Sequence, residues 1–161
     1  MARPTQAKLD LGALRHNVSV ARKLAPHSKL MAVVKANAYG HGAATIAGAL
    51  QPNVDALAVA SLEEASALRD VGITLPILLL EGLFEASELG IAAQLDVWLS
   101  IDNEHQLQWL EDAALPAPLT CWLKVDTGMN RLGVTPASAL QYYQRLMATS
   151  NAADNVVVST I

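Results

Sequence analysis

Charge is what this sequence has least of. Only 16% of its 161 residues are Asp, Glu, Lys or Arg, while 52% are apolar and the mean hydropathy is +0.28. Disordered chains are charge-rich and apolar-poor, so disorder is excluded as the general state, and the length suits one domain with a real core. Positive charge is scarcer than negative: eleven Lys and Arg face fifteen Asp and Glu, a formal net charge of −4. No basic stripe is visible, which excludes the usual nucleic-acid partner. Cysteine is nearly missing. Cys121 alone builds neither an internal disulfide nor a zinc site, which fits a reducing, cytoplasmic setting. Long apolar runs are missing as well; Ile77–Leu80 is far short of the ~20 residues that cross a bilayer. The polar opening Met1-Ala2-Arg3-Pro4-Thr5-Gln6 has no hydrophobic region behind it and does not read as a signal peptide.

What is present is an alternation of short apolar runs with amphipathic helical patterns. After a strand-like Ala7-Lys8-Leu9, Asp10 reads as an N-cap, and Leu14, Val18, Ala21 and Ala25 share a helical face that Pro26 ends. Leu30–Lys35 reads as a buried strand, followed by a glycine-flanked turn and a helix over Ala43–Leu50. Leu57–Ala60 is the next strand, and Ser61-Leu62-Glu63-Glu64 is a capping box opening another helix. Ile77–Leu80 and Val97–Ser100 are strands separated by a weak helix from Glu85 to about Gln94. Asp102 is expected to cap a helix carrying Leu107 and Leu110, and Leu119–Val125 is a strand. Thr135-Pro136 opens a helix expected to bury Leu140, Tyr143 and Met147, and Val156–Val158 begins a sixth strand.

Repeated strand–helix units with short connections imply right-handed crossovers and a parallel sheet. No Gly-x-Gly-x-x-Gly follows the first strand, so a dinucleotide-binding doubly wound sheet loses its main support. The expected fold is therefore α/β, a partial (β/α)8 TIM-type barrel with about six of eight strands, since a complete barrel takes about 250 residues.

Barrel enzymes work at the C-terminal ends of their strands, and two clusters fall there. Lys35 ends an apolar strand and precedes Ala36-Asn37-Ala38-Tyr39-Gly40-His41-Gly42. A desolvated amine has a lowered pKa and serves as a Schiff-base nucleophile or a proton-transfer base, whereas a lysine at a strand end also simply snorkels to solvent. Gly40 and Gly42 either supply positive φ in a turn or offer N–H groups to an anion. The second cluster, Lys124-Val125-Asp126-Thr127-Gly128-Met129-Asn130-Arg131-Leu132-Gly133, puts Lys124 and Asp126 on one strand face opposite Val125. Its Arg131 is a planar fork suited to a carboxylate or phenolate, although a surface Lys–Asp pair is a common and inert feature. Cys121, Trp98 and Trp122 read as strand packing, and His16, His27 and His105 have no partners at metal-ligand spacing.

The string Val34–Gly42 resembles the pyridoxal-phosphate attachment motif of bacterial alanine racemases, and Lys124–Gly133 resembles their second signature. Leu14-Arg15-His16-Asn17 fits too, and the resemblance covers the whole chain. It implies that residues 1–161 are the N-terminal part of a barrel that binds pyridoxal 5′-phosphate (PLP), with the C-terminal β domain of the family absent. The implied reaction interconverts L- and D-alanine, D-alanine being a peptidoglycan precursor, by a two-base mechanism. By the same resemblance Lys35 would carry the cofactor as a Schiff base and act as the base on one substrate face. Tyr39 would bond the cofactor phosphate, and Arg131 would meet the cofactor phenolic oxygen and the substrate carboxylate. Lys124 would match a lysine carbamylated in many members, and Met129 a residue lining the site. His41 receives no role.

The opposite base of the family is a tyrosine of the C-terminal domain from the other subunit of a homodimer, so this chain is expected to lack the second base and to be inactive alone. Two other readings stay open: a PLP-binding barrel module without racemase activity, and an inactive truncation product. So do cell-wall supply against alanine breakdown, and the strictness for alanine over serine. No metal and no membrane partner are expected.

Overall fold

Alternation within each short strand decides the architecture. The computed structural model describes residues 6–160. Met1–Thr5, most of the polar opening that does not read as a signal peptide, and Ile161 lie outside them. Six strands, β1 (Met31–Val33), β2 (Ala56–Val59), β3 (Ile77–Leu79), β4 (Val97–Ile101), β5 (Cys121–Val125) and β6 (Val157–Thr160), form one sheet in sequential order. Every pairing is parallel. One residue parity (Leu57 and Val59, Ile77 and Leu79, Leu99, Leu123) meets the helices in the main core, each side chain fully or almost fully buried. A fully buried leucine contributes about 1.5–3 kcal/mol, so this convex layer holds the curl of the partial barrel. The other parity faces the concave side and carries Leu78, Trp98, Ser100, Trp122 and Lys124 around its cavities. Trp98 and Trp122 stack there with centroids 5.8 Å apart, within the favourable range for aromatic pairs.

The crossovers are α3 (Ala43–Leu50), α4 (Leu62–Asp70), a 3-10 turn at Ala86–Glu88 leading into α5 (Leu89–Gln94), α6 (Glu104–Asp112) and α7 (Pro136–Ala148). Before them, α1 (Leu11–Leu24) starts where Asp10 Oδ1 accepts the Ala13 N–H at 2.9 Å. The remaining helical segment, α2 (Lys35–Tyr39), is unlike these and belongs to the site below.

Four expectations need correcting. Ala7–Leu9 is exposed and forms no strand; among the described residues β1 pairs only with β2. β1 ends at Val33, although Val34 N–H still donates to Ala58 O at 2.8 Å, so Lys35 stands just past the strand. Asn103, not Asp102, caps α6, its Oδ1 accepting the Gln106 N–H at 3.1 Å, because β4 runs on to Ile101 and delays the helix by a residue. On α7 the buried residue is Leu146, while Leu140 is 67% and Met147 44% exposed and Tyr143 half-buried. The inner face is turned by one residue, about 100°, and the Arg145 fork fixes that rotation by gripping both oxygens of Glu111 at 2.9 and 2.7 Å.

Candidate functional site

Lys35 opens a turn that ordinary L-residues avoid. Ala36, Asn37, Ala38 and Tyr39 have φ of 50, 54, 52 and 55°, with ψ near 50° at the first three, which is left-handed helix. Left-handed geometry costs about 1–2 kcal/mol per residue with a Cβ and is normally visited one residue at a time. Four in succession therefore store strain of the kind found where backbone geometry serves a function. The turn closes its own bonds, Ala38 N–H to Val34 O at 2.8 Å and Gly40 N–H to Ala36 O at 2.9 Å. Side chains stitch both ends: Asn37 Oδ1 accepts from Ala43 N–H at 2.8 Å, and Glu64 Oε1 from Ala36 N–H at 2.6 Å.

The glycines follow the first of their two readings. Gly40 (φ 84°) and Gly42 (φ 94°) continue the positive-φ path, and their N–H groups are consumed by Ala36 O and Asn37 O. They hold no amide in reserve for an anion.

The two signature clusters converge on one cavity of about 270 Å³ at the C-terminal mouth of the strands. Lys35, Lys124 and Arg131 line it, with Glu81 as the lone carboxylate and Leu78, Leu80, Ser100 and Trp122 among the remaining wall. Three cations facing one carboxylate make this a positive cavity in a net negative chain. Lys124 is 8% exposed, and its Nζ donates to Leu80 O at 2.9 Å. Burial pushes its pKa below the ordinary lysine value; Arg131 and Lys35 push the same way, while Asp102 and Glu81 oppose. Asp102 is buried too, and the loss of water raises its pKa. A larger cavity, about 420 Å³, opens at the other strand ends between Trp98, Trp122 and Met31. Its one carboxylate, Asp55, is already taken by Arg22 at 2.8 Å and by Leu30 N–H at 2.8 Å, so the reactive groups lie elsewhere.

Arg131 reaches the cavity from a loop that Asp126 organises. Asp126 does not share the cavity with Lys124; its Oδ1 accepts the N–H groups of Gly128 at 2.9 Å and Asn130 at 3.0 Å. Gly133 closes the loop at φ 118°, where a Cβ would lie 2.7 Å from Asp126 N. Amide bonds from Asn130 and Gly128 hold the Asp126 carboxyl below its usual pKa. A depressed carboxylate supports the folded loop above its unfolded pKa, and that support is lost as pH falls through the folded value. Amide NMR shifts of residues 128–131 should therefore stay constant from neutral pH down to about 4 and move only in stronger acid. Movement above pH 5 would contradict this.

Tyr39 and Met129 are 62% and 57% exposed and do not line the cavity. His41 is exposed, its Nδ1 3.2 Å from Tyr39 O. Cys121 is fully buried, and burial pushes its thiol up to about 12, which leaves it inert. Among the described residues no group of His, Cys, Asp or Glu could hold a metal ion, and no helix is long and apolar enough to cross a membrane. Sequence reasoning missed Glu81 and Ser100 as wall residues. The strand-end rule that found Lys35 applies equally to Glu81, two residues past β3.

A family pattern described as the alanine racemase N-terminal domain matches residues 9–160. This chain belongs to that family. Among curated alanine racemases, the chain is 50% identical over 157 residues to one from Pseudomonas entomophila, covering 98% of this chain and 44% of the relative. It is 55% identical over 139 residues to a biosynthetic alanine racemase of Escherichia coli, covering 86% of this chain and 38% of that one. The crystal structure of a biosynthetic alanine racemase from Pseudomonas aeruginosa superposes with a TM-score of 0.89 at 43% identity, covering 94% of this chain and 42% of the other. The chain thus spans under half the length of these alanine racemases, and its six-stranded half-barrel corresponds to their N-terminal barrel.

Proposed function

We propose that this chain is the cofactor-bearing N-terminal part of a PLP-dependent alanine racemase, an isomerase interconverting L- and D-alanine, with PLP held by Lys35. The observation that carries the reading is Lys35 meeting Lys124 and Arg131 across one positive cavity. That donor set fits the group: an amine for its aldehyde and a guanidinium fork for its phenolate or for a substrate carboxylate. The bound cofactor would supply an electron sink that acidifies the Cα proton of an attached amino acid.

The rest of the chemistry falls to the chain. Lys35 Nζ would hold the cofactor and, when released, take or return the Cα proton on one face. The buried backbone of β5 and the Asp126 turn keep Arg131 at the mouth, where it would orient the substrate carboxylate. Burial favours the neutral amine of Lys124, the form that reacts with carbon dioxide. In that step the amine lone pair bonds to the carbon, one C=O electron pair moves onto oxygen and a proton leaves to solvent. The carbamate so formed replaces a positive charge with a negative one beside Arg131. Tyr39 offers its hydroxyl from the end of the left-handed turn, and we assign it to the cofactor phosphate; Met129 is assigned to the rim on the substrate side.

Racemisation needs proton groups on opposite faces of a planar carbon, since one group returns the proton where it found it. No tyrosine or histidine lines the cavity among the described residues. The second base is assigned to a tyrosine of the C-terminal domain from the partner in a cytoplasmic homodimer. The test is PLP titration of the chain with visible absorption, borohydride reduction and peptide mapping, beside Lys35→Ala. A single trapped adduct on Lys35, absent from the variant, with no racemisation by the 161-residue polypeptide, is the expected result. An adduct undiminished in Lys35→Ala, or turnover by this polypeptide, would overturn the assignment.

A further inference from the structure

We infer that Glu64 is a positioning residue for Lys35: its carboxylate bridges the Ala36 and Ala60 amides and locks the left-handed turn that carries the lysine. The functional half of the inference rests on the reading of Lys35 as the cofactor-holding residue. The structural half does not.

A helical turn of either hand leaves its first N–H groups without intrahelical partners. Ala36 is such a group, and nothing in the local sequence, alanine on both sides of Asn37, favours left-handed geometry strongly. The missing acceptor comes from a different crossover. Glu64 stands at the third position of α4, where a capping box would send its carboxylate back to the Ser61 N–H. It does otherwise. Oε2 accepts from Ala60 N–H at 2.9 Å, and Oε1 reaches across to Ala36 N–H at 2.6 Å. The Ser61 hydroxyl accepts from Glu64 N–H at 3.5 Å, so the half of the box that serves α4 is the weaker one. Helix capping alone does not require a carboxylate shared between the ends of β1 and β2. Charge-assisted bonds of this length are about twice as strong as neutral ones, which suits a clamp on strained backbone.

Both oxygens face donors, and that makes the chemistry specific. A glutamine would set its NH₂ against one of the two amides, and an aspartate is one methylene too short to span them. The experiment compares Glu64→Gln and Glu64→Asp with Ser61→Ala, which weakens the same helix start without touching Ala36. Amide hydrogen exchange over residues 36–42 and the PLP concentration needed to trap Lys35 are both read, with melting temperature as the reference. In Glu64→Gln and Glu64→Asp, exchange should quicken and the PLP requirement should rise, each about tenfold or more, the effect of one charge-assisted bond lost. Ser61→Ala should lower the melting temperature to a smaller extent while changing neither.

Unchanged exchange over residues 36–42 in Glu64→Gln would overturn the clamp. Equal effects of Glu64→Gln and Ser61→Ala would reduce Glu64 to a general stabiliser and overturn the positioning role. If the wild-type chain takes no PLP on Lys35, the functional reading above fails, and the exchange measurement still decides the clamp.

Discussion

Gly82→Ala should destabilise the chain by about 2–5 kcal/mol, the sum of one left-handed residue and a moderate overpacking. Gly82 has φ +68°, and a Cβ there would lie 2.4 Å from Ser100 O and 2.6 Å from Gln106 Nε2. Neither neighbour yields cheaply. Ser100 O belongs to β4, and the buried Gln106 amide holds Glu81 O at 2.8 Å and Leu83 O at 3.3 Å while accepting from Asp102 N–H at 3.0 Å. A methyl group must displace that amide and strand several buried polar groups. Because Leu80 O and Glu81 next to it shape the cavity around Lys124, the damage reaches the site as well. Urea unfolding is the measurement, with Gly48→Ala as the contrast: Gly48 is helical, has open space where its Cβ would go, and should gain about 0.5–1 kcal/mol. Equal midpoints for Gly82→Ala and wild type would show that the loop after β3 is far softer than its contacts imply.

Lys124→Met should stabilise the fold while removing the group proposed for carbamylation. The lowered pKa of Lys124 means that the water its ammonium loses outweighs its attraction to Asp102 and Glu81, and a neutral side chain of similar volume is relieved of that difference. Replacing a whole buried ion pair by apolar groups is often worth about 1–4 kcal/mol, and only about 1–2 kcal/mol is expected here because both carboxylates and Leu80 O stay behind without this partner. For a chain of this size that is a rise of roughly 2–8 °C in melting temperature. The pH dependence is a second signature. Burial lowers the folded pKa of Lys124, so between that value and its unfolded value near 10.4 the unfolded chain binds more protons, and wild-type stability climbs with pH. Below the folded value the penalty is fully present. Lys124→Met should lack this rise. A drop in melting temperature instead would mean that the nearby Asp102 and Glu81 carboxylates more than compensate for the lost water.

These expectations draw on side chains of unequal legibility. The strand–helix alternation was plain in the sequence because each strand is a short apolar run flanked by a helix start, and Asp10, Ser61 and Thr135 sit where those starts are. Lys35 and Lys124 were legible for a related reason, since a cation just past or inside an apolar strand is conspicuous, whereas Arg131, in the loop after β5, stood out by its planar fork and by the family resemblance. The left-handed turn was not. Ala-Asn-Ala-Tyr is unremarkable as right-handed helix, and the force that inverts it, the Glu64 carboxylate, lies a crossover away in sequence. The rotation of α7 was hidden likewise, since Leu140, Tyr143 and Met147 make as good a stripe as the true one until Arg145 finds Glu111. Local pattern is readable where a residue answers to its neighbours in the chain, and fails where a tertiary bond overrules them.

The sequential strand order also bears on how the molecule is built. Among the described residues each strand bonds only to the strands one crossover before and after it, so these six strands can join the sheet in order as a ribosome delivers them. The lysine-bearing turn is made early in that sequence, but Glu64 emerges only with the following unit. For that interval the segment from Ala36 to Tyr39 has its own turn bonds and the Asn37–Ala43 bond, but not the carboxylate that ties it to the end of β2. The last hold on the site is therefore added in retrospect, when α4 docks against β2 and its carboxylate closes over a stretch of backbone already in place.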